Sequence, residues 1–378
     1  LPAAILLLLG VFAGLALWLL VKEEQTLAER AALVPTVTVP VTVAPGATSA
    51  PPAATVGGET EPKPAPTPAP APIPAPVPAV EAPAKPAEPP PPPVPEGPIT
   101  LAPAPAAGLT QDSRNGPLPI VGDDGRQPWQ VYARPFRPKE KQGRIAIVIT
   151  RLGLSGGVTS LALQRLPAEV TLAFSPLSER IETWLETARK QGHEVILNIG
   201  MEPLNYPHDD PGPNTLFTFL DAAHNTDRLE WALGRATGYV GITSTSGSRF
   251  TAEAHAIRPV LEALKKRGLL FLDARAAPSS VAPALGGEIG LARVTVDRVL
   301  DLDPARTAID EKLSQLEELA SKNGQSVGIA EPYLTTLERI ARWAPLLADK
   351  NLVLAPLSAL VTTEKTPPAK PVEAKHSP

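Results

Sequence analysis

Arg144–Thr150, RIAIVIT, decides the fold. An unbroken apolar run of this length, without polar alternation, suits a strand buried on both faces, as in the middle of a parallel sheet. Reading outward, similar runs recur at Val170–Phe174, Glu194–Ile199, Tyr239–Ile242, Leu269–Leu272, Ala292–Val296, Ser326–Ile329 and Leu352–Ala355. Helical periodicity lies between most of them, at Leu177–Gln191, Asp227–Arg235, Ala252–Arg267, Ala305–Lys322 and Tyr333–Leu347. Strands alternating with helices imply a mainly parallel sheet covered by helices. So many runs in a stretch of roughly 230 residues favour a barrel or distorted barrel over an open six-stranded sheet. Gly192, Gly268 and Gly324 each follow a helical pattern and precede a strand, where a left-handed cap residue is expected.

This folded stretch, 130–361, is one part of a 378-residue chain. Of its 48 prolines, more than half precede residue 121, so packing must concentrate in the C-terminal part. Net charge is −4, from 35 basic and 39 acidic residues, and no basic block marks the folded part. Nucleic acid is therefore not an expected partner. Cysteine is absent, which excludes disulfides, thiolate metal sites and cysteine nucleophiles.

Leu1–Val21, LPAAILLLLGVFAGLALWLLV, carries no charge and as a helix would span about 30 Å, the thickness of a bilayer's hydrocarbon core. Trp18 stands near one end, and Lys22, Glu23 and Glu24 close the segment. We read 1–21 as a retained transmembrane anchor; the alternative is a cleaved signal peptide, whose apolar region is usually shorter. Residues 22–125 read as a juxtamembrane and Pro/Ala-rich linker. From Glu61 the text is EPKPAPTPAPAPIPAPVPAVEAPAKPAEPPPPPVPEGP, with too few large apolar residues to offset ordering entropy. It is expected to be a disordered, extended spacer, with docking on a proline-recognition domain as a weaker reading. Near the domain, Trp129, Tyr132 and Phe136 are available to pack on it. The tail, 362–378, is expected to be disordered.

Several short motifs then stand in one order: IAIVITRLGLS, VTLAFSP, GHEVILNIGMEP, PGPNTL, GITSTSGSRFTA, LKKRGLLFLDAR, and PYLTTLERIARWAPLL followed by LVLAPLSALV. Together they resemble the divergent polysaccharide deacetylase family, a branch of the NodB-like carbohydrate esterase superfamily. The resemblance runs from about Arg144 to Val361 and implies an α/β fold of the NodB-like irregular (β/α) barrel type. It also implies hydrolysis of an acetyl group on a sugar, with a divalent metal polarising water and carbonyl and a base taking the proton. Against that pattern the chain departs at every position expected to bind metal or to do first-strand acid–base work. Thr150 and Arg151 stand where the first strand should end in paired aspartates. Asn198, Thr245 and Glu331 stand where histidines are expected. Arg151 moreover puts a permanent positive charge into a site meant for a cation.

A replacement site has few candidates among the five histidines. His193 precedes a strand and reads as packing, His224 and His255 sit near helix starts, and His376 is in the tail. His208 with Asp209 and Asp210 is the one plausible metal cluster, although such a loop more often forms turns and solvent contacts. No zinc-like spacing is present. Glu202, Arg249, Asp273 and Arg275 form a candidate cleft, readable as loop-bracing salt bridges or as a polar site for glycan or peptide. Ser246-Gly247-Ser248 lacks a nucleophile-elbow pattern.

The leading expectation is a catalytically inactive module without cofactor, single-pass in the bacterial inner membrane with its C-terminal domain in the periplasm. It would bind peptidoglycan, another glycan or an envelope protein as part of an inner-membrane complex. The rival is an active metal-dependent polysaccharide or peptidoglycan deacetylase with a site relocated to His208, Asp209, Asp210, Asp273 and Glu331.

Overall fold

A computed structural model of the chain describes residues 103–365 together with Ile99 and Leu101. The described chain begins with a lead-in. Strand β1 (Thr110–Gln111) pairs antiparallel with β2 (Leu118–Pro119), and a single helical turn, α1 (Pro128–Val131), follows. Leu109, Leu118 and Tyr132 from this segment are buried, and the Tyr132 hydroxyl accepts from the Ala106 amide at 3.0 Å. Residues ahead of 130 thus supply core side chains.

The sheet begins with β3 (Gly143–Leu152), followed by α2 (Gly156–Arg165), β4 (Thr171–Phe174), α3 (Ile181–Lys190) and β5 (Val195–Asn198). Then come α4 (Ala222–Leu233), β6 (Gly241–Thr243), α5 (Ala254–Lys266), β7 (Leu270–Asp273) and α6 (Ala282–Ile289). The last third holds β8 (Arg293–Thr295), β9 (Arg298–Val299), α7 (Arg306–Asn323), β10 (Gln325–Ala330), α8 (Leu334–Trp343) and β11 (Leu352–Leu354). Strand order is β8-β7-β6-β5-β4-β3-β10-β9, every pairing is parallel, and β11 pairs with the start of β3. In β3 the residues from Ile145 to Ile149 are all fully buried. Ile145, Ile147 and Ile149 enter one core cluster, Ala146 and Val148 the other. This is the period-two alternation of a strand, hidden in the sequence because both faces are apolar. Gly192, Gly268 and Gly324 have φ of 89°, 62° and 78°, the left-handed caps expected there.

The expected irregular (β/α) barrel is not what forms. The sheet is curled and half open, because its two edge strands, β8 and β9, do not pair with each other. They are separated by only Val296 and Asp297, and parallel neighbours need a crossover of about a dozen residues. Instead the chain steps across the gap: Val296 N donates to Asp273 O at 3.0 Å, and Asp297 N donates to Val327 O at 2.8 Å.

A second correction concerns the membrane. Among the described residues no helix is long and apolar enough to cross one. That finding runs against the expected transmembrane helix, signal anchor, inner-membrane partner and periplasmic placement. The segment 1–21, most of the linker, and the tail from 366 lie outside the described residues.

Candidate functional site

The strand ends converge on one cavity of about 710 Å³, and its most unusual wall is the end of β3. The register between β3 and β4 shifts between Ile149 and Leu152, and Arg151 adopts a left-handed φ of 57°. Such a conformation costs a non-glycine residue about 1–2 kcal/mol. It coincides with an exposed Arg151 side chain between the buried Thr150 and Leu152. Arg151 Nη1 donates to Glu331 Oε1 at 3.0 Å, just past the end of β10. Glu331 is itself held by its amide, which donates to Asp301 Oδ2 at 2.9 Å, and Thr336 Oγ1 donates to the same oxygen at 3.0 Å. Burial pushes the Asp301 carboxyl up, against these two donors. A hydrogen bond to Glu331 raises the Tyr333 hydroxyl. Thr150 is fully buried, and its Oγ1 donates to Ala330 O at 3.1 Å.

Around this ion pair the cavity is walled by uncharged polar groups. Ser175 follows β4, Asn198 ends β5, and Thr245, Ser246 and Ser248 follow β6. Asn198 Nδ2 donates to Thr245 Oγ1 at 3.5 Å. Leu154, Leu177 and Trp231 add apolar surface, and the loop after β5 brings Asn205, His208, Asp209, Asp210 and Asn214.

That loop explains the histidine cluster. His208 Nδ1 lies 3.0 Å from Asp209 Oδ1, both side chains are exposed, and Asn205 Nδ2 donates to Asp209 Oδ2 at 2.5 Å. These two contacts, Asn205 first, hold the Asp209 carboxyl below the usual range. Asp210 Oδ1 accepts from the Gly212 amide at 2.9 Å. All three side chains are engaged in shaping a turn.

Glu202, Arg249, Asp273 and Arg275 are not cavity walls, and they fall into two groups. Buried Glu202 accepts through Oε2 from Thr218 N and Thr218 Oγ1, each at 2.6 Å, and Arg249 Nη1 stands 3.5 Å from Oε1. This carboxylate ties the loop after β5 to the turn after β6. Asp273 is 3% exposed; its Oδ1 accepts from the Arg275 amide at 2.9 Å, while Oδ2 has no hydrogen-bond partner among the described residues. Burial pushes its carboxyl up.

A divalent metal does not fit the residues present. The Thr150 hydroxyl is spent on a carbonyl, Arg151 is a cation, Asn198 and Thr245 are neutral, and Glu331 is in an ion pair. Among the described residues no group of three or more His, Cys, Asp or Glu is placed to hold a metal ion.

The family model for divergent polysaccharide deacetylases matches residues 147–361. The chain belongs to this family. It is similar in structure to an uncharacterized protein from Agrobacterium tumefaciens, with a TM-score of 0.63 and 37% identity over 65% of this chain and 99% of that one. An uncharacterized Haemophilus influenzae protein is 25% identical over 232 residues, 61% of this chain and 81% of the relative. The uncharacterized Escherichia coli protein YibQ is 24% identical over 234 residues, 61% and 72% respectively. Of the five positions singled out in the sequence, Arg151, Asn198, Thr245 and Glu331 wall the cavity, and Thr150 is buried and not among its walls. Ser175, Ser246 and Ser248 are wall residues outside the expected cleft, although Ser246-Gly247-Ser248 is weighed above as a nucleophile site. Their position just past apolar runs was the signal available, whereas Trp231 projects from α4 and had none.

Proposed function

We propose that this domain is a deacetylase-like module that keeps the family's cleft without its chemistry and binds a glycan chain there. One observation carries the reading: Arg151 and Glu331, at positions where the family resemblance leads one to expect an acid–base aspartate and a histidine, pair with each other at 3.0 Å. The guanidinium supplies a fixed positive charge and cannot accept a proton at ordinary pH. The Glu331 carboxylate is engaged with that guanidinium. The cavity's size falls within the range of small-molecule clefts. Hydroxyl and amide groups at Ser175, Asn198, Thr245 and Ser246 suit the polar edge of a sugar, and Trp231 suits its apolar face.

The test is calorimetric titration of the purified protein with chitotetraose, alongside an acetate-release assay after incubation with zinc, manganese, cobalt or nickel. The expected result is saturable binding, weakened by Asn198→Ala, with no metal-dependent acetate release. Acetate release that chelation abolishes would overturn the reading and restore an enzyme.

A further inference from the structure

The large hydrophobic side chains that the fold leaves bare are distributed unevenly. Of the nine exposed among the described residues, all but Leu346 belong to segments that leave the strand ends where the cavity opens. The aromatic ones stand on two sides of it. On one side, the loop after β5 supplies the wall residues Asn205 and His208 and also carries Tyr206, whose ring centroid lies 4.8 Å from that of Phe217. Phe217 in turn stacks on Phe219 at 4.8 Å, with 22° between the ring planes. Phe217 is buried, so the stack fixes the attitude of a Phe219 ring that is itself 68% exposed. On the other side Tyr333 follows β10, is 48% exposed, and hydrogen-bonds the wall residue Glu331. Strand β10 is three places from β5 in the sheet, about 14 Å away.

We propose that the cavity is the middle of a longer groove and that its ligand is an internal stretch of a neutral glycan chain, held on Phe219 at one side and on Tyr333 at the other. The proposal rests on the glycan-binding reading given above and extends it from a sugar unit to a polymer. Three observations favour such a chain over a charged ligand or an apolar partner. The rim rings offer flat faces, which suit the C–H faces of sugar rings. The charges beside them are already engaged. The Arg228 guanidinium sits 5.4 Å from the Phe217 centroid and donates to Thr215 O, and Asp209 accepts from Asn205 and lies against His208. Between the two sets of rings the walls carry hydroxyl and amide groups, Ser175, Asn198 and Thr245 among them. A purely apolar partner laid from Phe219 to Tyr333 would bury those groups unsatisfied, whereas a sugar chain presents hydroxyls along its edges and C–H groups on its faces.

The test is calorimetric titration of the full chain with chitobiose and with chitohexaose. The natural chain should bind the hexamer about tenfold more tightly than the dimer, and Phe219→Ala and Tyr333→Ala should each cut that ratio about fivefold, the worth of one aromatic contact. Phe219→Leu keeps an apolar side chain without a flat face, so it should behave like Phe219→Ala. A wild-type ratio in any of these three variants overturns the proposal. If Asn198→Ala weakens both oligomers while the ring variants keep the ratio, the cleft stands and only the longer groove falls. If the natural chain binds neither oligomer, the glycan reading falls with it. A natural chain that sediments as a dimer, and returns to a monomer in Phe219→Ala, gives the rim to a second copy and overturns the proposal as well.

Discussion

Arg151 and Glu331 meet at 3.0 Å across the ends of β3 and β10, with side chains 56% and 31% exposed. An ion pair this open to water contributes about 0.2–1 kcal/mol. Glu331→Gln is therefore expected to lower stability by no more than about 1 kcal/mol in a urea titration. A loss above about 3 kcal/mol would mean that the pair behaves as a buried one.

The backbone and the charge of Arg151 can be separated. Its left-handed φ favours glycine, so Arg151→Gly should be more stable than Arg151→Ala by about 1 kcal/mol. Both remove the guanidinium, so both should weaken chitotetraose binding alike. Equal stability of the two variants would show that the bulge relaxes when the side chain is lost.

Asp273 should give the protein a pH signature. Its carboxyl is raised by burial, so the folded state holds the proton more tightly than the unfolded one. Stability associated with that proton is present in acid and is lost as pH rises from the ordinary value of 3.8 through the raised folded value. Asp273→Asn removes this dependence. The variant's stability relative to wild type should therefore climb as pH increases from 4 to about 7, read from urea midpoints. A difference that stays flat with pH would mean that Asp273 is not desolvated in solution.

Leu109 tests the lead-in. It is fully buried, and Leu109→Ala should cost about 2–5 kcal/mol by thermal or urea unfolding. A cost below about 0.5 kcal/mol would detach this segment from the core.

The eight apolar runs read from the sequence each contain or overlap an observed strand, because a buried parallel strand writes its whole length in apolar residues. Strands β1, β2 and β9 were not legible: at two residues each they have no period to read. Beyond the single turn α1, two helices were also missed. In α2, GGVTSLALQR opens on two glycines, and α6, APALGGEI, carries a Gly-Gly pair, so neither shows a strong helical signal. The number of strands suggested closure, but closure depends on which edges can pair, and the short β8–β9 link forbids it. For the cleft, motif order located Arg151, Asn198, Thr245 and Glu331 because each lies at or just past the end of a strand. Asp273 and Glu202 also follow strands or near-strand segments, yet their side chains turn inward to backbone donors. Sequence spacing gives the strand end but not the direction a carboxylate takes there.

The described chain arrives beside Ile99 at the starts of the strands, while the large cavity opens at their far ends. Ile99, the first described residue, thus stands at the pole away from the mouth. No described lead-in residue walls the mouth, so anything entering it meets the strand ends, the loops that follow them and the Trp231 face of α4.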